Sequence, residues 1–201
     1  MLDYHAETLL KLEYEYTRET IEQATEDRRK VVEFYLLLTG GLGSAALAIA
    51  QLDANRAPSV SQLDSVIGPS AHMPGLVFAV LFWLIGLAGF FTLLHLVRLR
   101  QAAHESMRSM NRIKEFYVER YPALSDALAW RAHTLPPLNR IGSITFNHAL
   151  LVIVLASVAL GVGVVFLEVR PQISLVLIAL AVGALAFLWQ AFIYVWLLRE
   201  K

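Results

Sequence analysis

The side chains of this 201-residue sequence that could do chemistry are six histidines, 17 acidic residues and 17 basic residues, with no cysteine. His104-Glu105 begins like the zinc-binding motif HExxH, but Arg108 occupies the position of the second histidine. No other pair of histidines has metal-ligand spacing, and the lack of cysteine excludes disulfides, thiolate nucleophiles and thiolate metal sites. We therefore predict no metal site and no cofactor.

Catalytic and phosphate-binding patterns are also incomplete. The run Gly40-Gly41-Leu42-Gly43-Ser44 resembles a phosphate loop superficially, but it has no lysine and lies inside an apolar block. The sequence contains no Gly-x-Ser-x-Gly elbow and no paired carboxylates in an apolar setting. A membrane enzyme acting on lipid headgroups would need more polar residues grouped at one interface. We predict no catalytic residues and no enzymatic activity.

Much of the chain consists of long apolar segments. Hydrophobic residues make up 57% of the chain and charged residues only 17%, and the hydrophobic residues are concentrated in four blocks. Each block has about the 20 residues that a helix needs to cross a bilayer. The predicted fold class is an all-α integral membrane protein with four transmembrane helices, over residues 34–52, 74–97, 144–167 and 173–198.

The basic residues predict the orientation. Fifteen of the 17 lie before residue 34, between residues 98 and 143, or after residue 198, and the other two are Arg56 and Arg170. The positive-inside rule then places both termini in the cytoplasm. The remaining parts become a cytoplasmic N-terminal amphipathic helix (1–33), an external loop (53–73), a cytoplasmic helical segment (98–143), an external turn (168–172) and a cytoplasmic tail (199–201).

The two larger cytoplasmic segments carry narrow apolar stripes at helical spacing. No proline or glycine precedes Gly40, so the first helix is predicted to run unbroken into its span. The helix after the second span is predicted to continue to Tyr121-Pro122, with a short helix over 123–131 beyond it.

The charges of these two cytoplasmic segments are complementary. Residues 1–30 carry eight acids against five bases, and residues 98–140 carry eight bases against four acids. We expect these helices to pack as a cytoplasmic stalk; two separate solvated helices are the alternative. The predicted seam comprises Tyr14, Ile21, Met110, Ile113 and Tyr117.

Small residues recur on three of the spans at intervals that permit close approach of helices. The first span has Gly40, Ser44 and Ala48 on one face, the third has Ser157 and Gly161, and the fourth has Gly183. Packing within one subunit and self-association both explain such patterns, and we expect a homo-oligomer. No span carries a charged residue at mid-depth, which argues against a solute transporter.

A helix containing Tyr14, Tyr16, Arg18, Arg28, Arg29 and Tyr35 feeds directly into the first span. This arrangement resembles the small SLATT-type membrane effectors of bacterial conflict systems. Residues 110–117 and 130–136 resemble segments of uncharacterised four-span bacterial membrane proteins. The first resemblance implies a role in antiviral defense, through oligomers that permeabilise the bacterial inner membrane when a cytoplasmic partner signals.

The function expected from these observations is that of a non-enzymatic, oligomeric inner-membrane protein. It would act as a pore-forming or channel-like effector gated through its cytoplasmic helices. The alternative is a membrane anchor or scaffold that recruits a soluble cytoplasmic protein and conducts nothing. The expected partners are the lipid bilayer and further copies of the chain. We expect no nucleic-acid partner, because the positive-inside bias already accounts for the basic central segment.

Overall fold

The protein folds into four long helices in a computed structural model that describes residues 4–56, 73–122, 135, 137–138, 140–167 and 173–199. The helices are α1 (Tyr4–Arg56), α2 (Met73–Arg120), α3 (Ile144–Val165) and α4 (Ile173–Leu197), and the described residues contain no strand. All four are long and apolar enough to cross a membrane. The prediction of an all-α chain with four such helices is confirmed.

Two of the helices are longer than the spans predicted within them. α1 runs without a break from Tyr4 to Arg56, past the predicted end of its span at residue 52. α2 is likewise continuous from Met73 to Arg120. α3 ends at Val165, two residues earlier than predicted, and Phe166 and Leu167 form a turn. The predicted helix over 123–131 and the predicted turn over 168–172 lie outside the described residues.

The helices pack in chain order, each antiparallel to the next. α2 packs on both α1 and α3, and α3 packs on α4. Because α2 lies between two neighbours, it contributes many of the buried side chains. The core extends along the bundle and includes Tyr35, Ile85, Leu93, Leu96, Val152 and Leu198.

The start of α3 is fixed by its own cap. Gly142 has a φ of 82°, a left-handed conformation that glycine adopts without a steric penalty. Ser143 then takes an extended conformation, and its Oγ accepts a hydrogen bond at 3.2 Å from the backbone N–H of Phe146. This cap sets the residue at which α3 begins.

The outer surface of the helices is apolar. On α4 the exposed side chains include Leu177, Leu180, Leu185, Leu188, Trp189, Phe192 and Trp196. A continuous surface of this kind is unfavourable in water and favourable in lipid. The exposure of these side chains is therefore consistent with a multi-pass membrane protein.

Candidate functional site: the stalk and the helix faces

Beyond the four-helix bundle, α1 and α2 continue together as a stalk, defined here as residues 4–33 and 98–120. Thr17 of α1 and Asn111 of α2 belong to this stalk. Both are buried, at 4% and 2% exposure, and α2 is the only described helix that extends along this part of α1.

The predicted seam is less buried than the residues beside it. Ile21, Met110, Ile113 and Tyr117 are half-buried, and Tyr14 is exposed. The buried positions of the stalk are instead Thr17, Ala24, Val32, Ala103 and Asn111, all of them small or polar except Val32. The Thr17 hydroxyl donates to its own helix, at 3.0 Å from the Glu13 carbonyl oxygen and 2.9 Å from that of Tyr14. Small side chains at these positions let the two helices approach closely.

Asn111 was not among the residues that sequence reasoning selected. It lies outside the stripe predicted for α2, and a polar residue carries no hydrophobic signal. A buried asparagine in a helix pair often specifies the register at some expense of stability. Its burial places a polar side chain within the contact between α1 and α2.

Three ion pairs in the stalk are formed within α1. Lys11 pairs with Glu15, Arg18 with Glu22, and Lys30 with Glu26, each over one helical turn. The hydrogen bond from Lys30 lowers the pKa of the Glu26 carboxyl. For these six residues, pairing within the helix replaces the predicted pairing with α2. All six are exposed, so packing of the buried stripe is the stronger reason for the two helices to associate.

The burial of Thr17 and Asn111 between α1 and α2 predicts a specific cross-link. In this naturally cysteine-free chain, a Thr17→Cys, Asn111→Cys double variant should form a monomer-sized product with a short thiol cross-linker. The matched control is Glu19→Cys with Asn111→Cys, because Glu19 is exposed on the other side of α1. Equal yields from the two variants, with all cysteines rapidly alkylated, would contradict the packed stalk.

Where the stalk meets the bundle, polar side chains join all four helices. Nη1 of Arg28 donates to Oγ1 of Thr145 at 2.6 Å, which links α1 to α3. Nη1 of Arg100 donates to the Tyr194 hydroxyl at 2.6 Å, and Nε2 of Gln101 donates to the carbonyl oxygen of Leu197 at 2.9 Å. The last two bonds hold the end of α4 against α2. A movement of the stalk would therefore act directly on α3 and α4.

Deeper in the bundle, Tyr35 of α1 inserts against α2 and α3. The side chain is 1% exposed, and its hydroxyl donates to the carbonyl oxygen of Ile85 at 3.4 Å. Gly89 makes room for it, since a Cβ at that position would lie 2.5 Å from the Tyr35 hydroxyl and 2.6 Å from Cβ of Ala156. Three helices thus meet closely at a position where α2 has no side chain.

The predicted small residues of α3 and α4 lie at the contact between these two helices. A Cβ at Gly161 would lie 2.9 Å from the carbonyl oxygen of Ala179, and one at Gly183 would lie 3.2 Å from that of Ser157. Ser157 is buried, at 4% exposure. Ser157, Gly161 and Gly183 therefore allow the backbones of α3 and α4 to approach closely within one chain.

The small-residue face of α1 is arranged differently. Gly40, Ser44 and Ala48 are all exposed. A Cβ added at Gly40, Gly41 or Gly43 would meet no atom within 4 Å. The same type of pattern that packs α3 on α4 is therefore left uncovered on α1, in the same helix that forms half of the stalk. We call Gly40, Ser44 and Ala48 the open face.

Within the described part of the chain, no three metal-ligating side chains form a group that could hold an ion. His104 and Glu105 do line a cleft with Gln101, Arg108, Trp196 and Arg199. Comparison of the chain with protein-family models, curated proteins and solved structures found no match.

Proposed function

We propose that this protein is a non-enzymatic, oligomeric protein of the bacterial inner membrane, in which copies associate through the open face of α1 and form a pore. The observation that carries the proposal is the uncovered face of Gly40, Ser44 and Ala48. Close helix packing in lipid depends on such small residues, and no described residue of the same chain covers Gly40.

The continuity of α1 supports gating through the stalk. One helix of 53 residues carries both the buried stalk residue Thr17 and the open face. A partner that shifted α1 against α2 would displace the open face as well, because a straight helix transmits such a shift along its length. This would suit an effector that responds to a cytoplasmic signal, as the resemblance to SLATT-type proteins implies for antiviral defense.

Ion flux into liposomes tests the pore. Purified protein in liposomes of phosphatidylethanolamine and phosphatidylglycerol should conduct, and Ser44→Leu, which blocks the open face, should abolish the flux. The control is Leu188→Ala, a lipid-exposed change on α4. Equal flux from wild type and Ser44→Leu would contradict a pore built on this face.

A non-conducting scaffold is the second candidate, and exposed aromatic side chains on the stalk favour it. Tyr16 is 67% exposed and Phe116 is 41% exposed. Exposed aromatic residues are typical anchors for a soluble protein partner. Oligomers that insert correctly but give no flux would select this candidate over the pore.

The proposed orientation places both termini and the stalk in the cytoplasm. Alkaline phosphatase, which is active only outside the cytoplasm, should then be active when fused near Ser61. It should be inactive when fused near Met110 or after Lys201. Activity at Met110 would overturn the topology on which the gating proposal depends.

A further inference from the structure

A cavity of about 450 Å³ lies at the junction of the stalk and the bundle. Its walls come from α1, from α2, from the start of α3 and from the segment just before α3. Arg28, Arg100 and Arg140 contribute one guanidinium each from three of these parts. We call this space the arginine cavity.

The positive charge of the arginine cavity is not balanced by a described carboxylate. No aspartate or glutamate is among the described residues that line it. Arg28 donates to the hydroxyl of Thr145, and Arg100 donates to the hydroxyl of Tyr194. These hydroxyls are neutral, so they satisfy hydrogen-bond donors without compensating the charges.

Arg28 is the least satisfied of the three. Its Nε is buried and has no hydrogen-bond acceptor within the described ranges. Burial, followed by the charge of Arg100, lowers the pKa of Arg28 below its ordinary value. A guanidinium remains protonated in proteins nonetheless. Two neighbouring like charges are unfavourable together, and an anion between them would relieve their repulsion.

The lining of the cavity indicates which anion would fit. Guanidinium groups present forked donors that match the oxygens of a phosphate. The 22-residue helix α3 begins here, and its N-terminus adds partial positive charge. Ala103, Met107, Leu138 and Ile144 form an apolar part of the wall, which would accommodate the carbon atoms attached to a phosphate ester.

The depth of the cavity matches the headgroup layer of a bilayer. Arg28 precedes the predicted first span by six residues, and Arg100 follows the predicted second span by three. At a rise of about 1.5 Å per residue, both lie within about 10 Å of the span ends. Basic pockets between helices at this level are suited to anionic lipid headgroups.

We infer that the arginine cavity is a binding site for a phosphate group, carried by the headgroup of an anionic lipid or by a free phosphate compound. The bound phosphate would bridge Arg28 of α1, Arg100 of α2 and Arg140 of the segment before α3. It would thereby fix the position of the stalk on the bundle. This site does not depend on whether the protein conducts.

Binding of phosphatidylglycerol to the purified full-length protein in detergent tests the inference. Native mass spectrometry would count retained lipids, with phosphatidylcholine as the zwitterionic comparison. The Arg28→Gln, Arg100→Gln double variant should bind phosphatidylglycerol about tenfold more weakly or worse, since two charge-assisted hydrogen bonds are lost. The matched control is Arg98→Gln, an exposed arginine on α2 that does not line the cavity; it should bind like wild type.

A second variant separates loss of the site from loss of the fold. The Arg140 residue is exposed, so Arg140→Gln should keep the thermal unfolding midpoint of wild type and still bind phosphatidylglycerol more weakly. Competition with inorganic phosphate shows whether the site takes a lipid headgroup or a free phosphate compound. Displacement of the lipid by millimolar phosphate would indicate a site for free phosphate compounds, and retention of the lipid would indicate a headgroup site. Wild-type affinity in Arg140→Gln, or an equal loss of binding in Arg98→Gln, would overturn the inference.

Discussion

Gly89→Ala should destabilise the protein, although alanine favours helix formation more than glycine does. The new Cβ would lie 2.5 Å from the hydroxyl of Tyr35 and 2.6 Å from Cβ of Ala156. Neither contact is tolerable, so Tyr35 or α3 must move away from α2. Overpacking of this kind costs about 1–3 kcal/mol. The measurement is the thermal unfolding midpoint of the purified protein in detergent.

Two controls make this result specific. Gly41→Ala on α1 introduces the same methyl group where no atom lies within 4 Å, so its unfolding midpoint should not fall. Tyr35→Phe removes the hydroxyl that the new Cβ would meet, so the Gly89→Ala, Tyr35→Phe double variant should recover part of the lost stability. A Gly89→Ala protein as stable as Gly41→Ala would mean that α1, α2 and α3 do not meet closely at this level.

Ser44→Leu should abolish assembly while leaving the fold of the single chain intact. Ser44 is exposed, and its hydroxyl donates to the carbonyl oxygen of Gly41 at 2.9 Å within α1. Because Ser44 is exposed, a leucine there should fit within its own chain, but it would prevent a second backbone from approaching the open face. Size-exclusion chromatography with light scattering should show oligomers for wild type and monomers for Ser44→Leu.

A thermal unfolding measurement on the same variant distinguishes loss of the interface between copies from loss of the fold. The unfolding midpoint of monomeric Ser44→Leu should remain well above that of Gly89→Ala, because only the second substitution disturbs packing within the chain. Oligomers of unchanged size for Ser44→Leu would mean that the open face contacts lipid.

The four helices and their continuity were predictable because both depend on local properties of the chain. Apolar blocks of sufficient length predict helices in lipid. The absence of proline and glycine before Gly40 predicts that α1 is unbroken, as the structure has it. α1 extends to Arg56, past the predicted end of its span at residue 52, because a helix can continue beyond the apolar residues that cross the bilayer.

The parts of the sites that depend on helix register were not predictable. Asn111 carries no hydrophobic signal, and its burial follows only from the alignment of α1 with α2. Arg28 and Arg100 are 72 positions apart in the sequence, so their proximity also requires that alignment. The small-residue patterns on α1 and α3 look alike in the sequence. Gly161 nevertheless contacts another helix of the chain, whereas Gly40 contacts none.

Disulfide formation between copies of Ser44→Cys in membranes tests the central claim most directly, since the natural chain has no cysteine. If copies meet through the open face, mild oxidation should give a product of twice the monomer mass. Leu188→Cys, which is exposed on α4, should remain monomeric under the same conditions. Equal dimer yields for the two variants, or a monomeric Ser44→Cys that is freely alkylated, would contradict assembly through Gly40, Ser44 and Ala48.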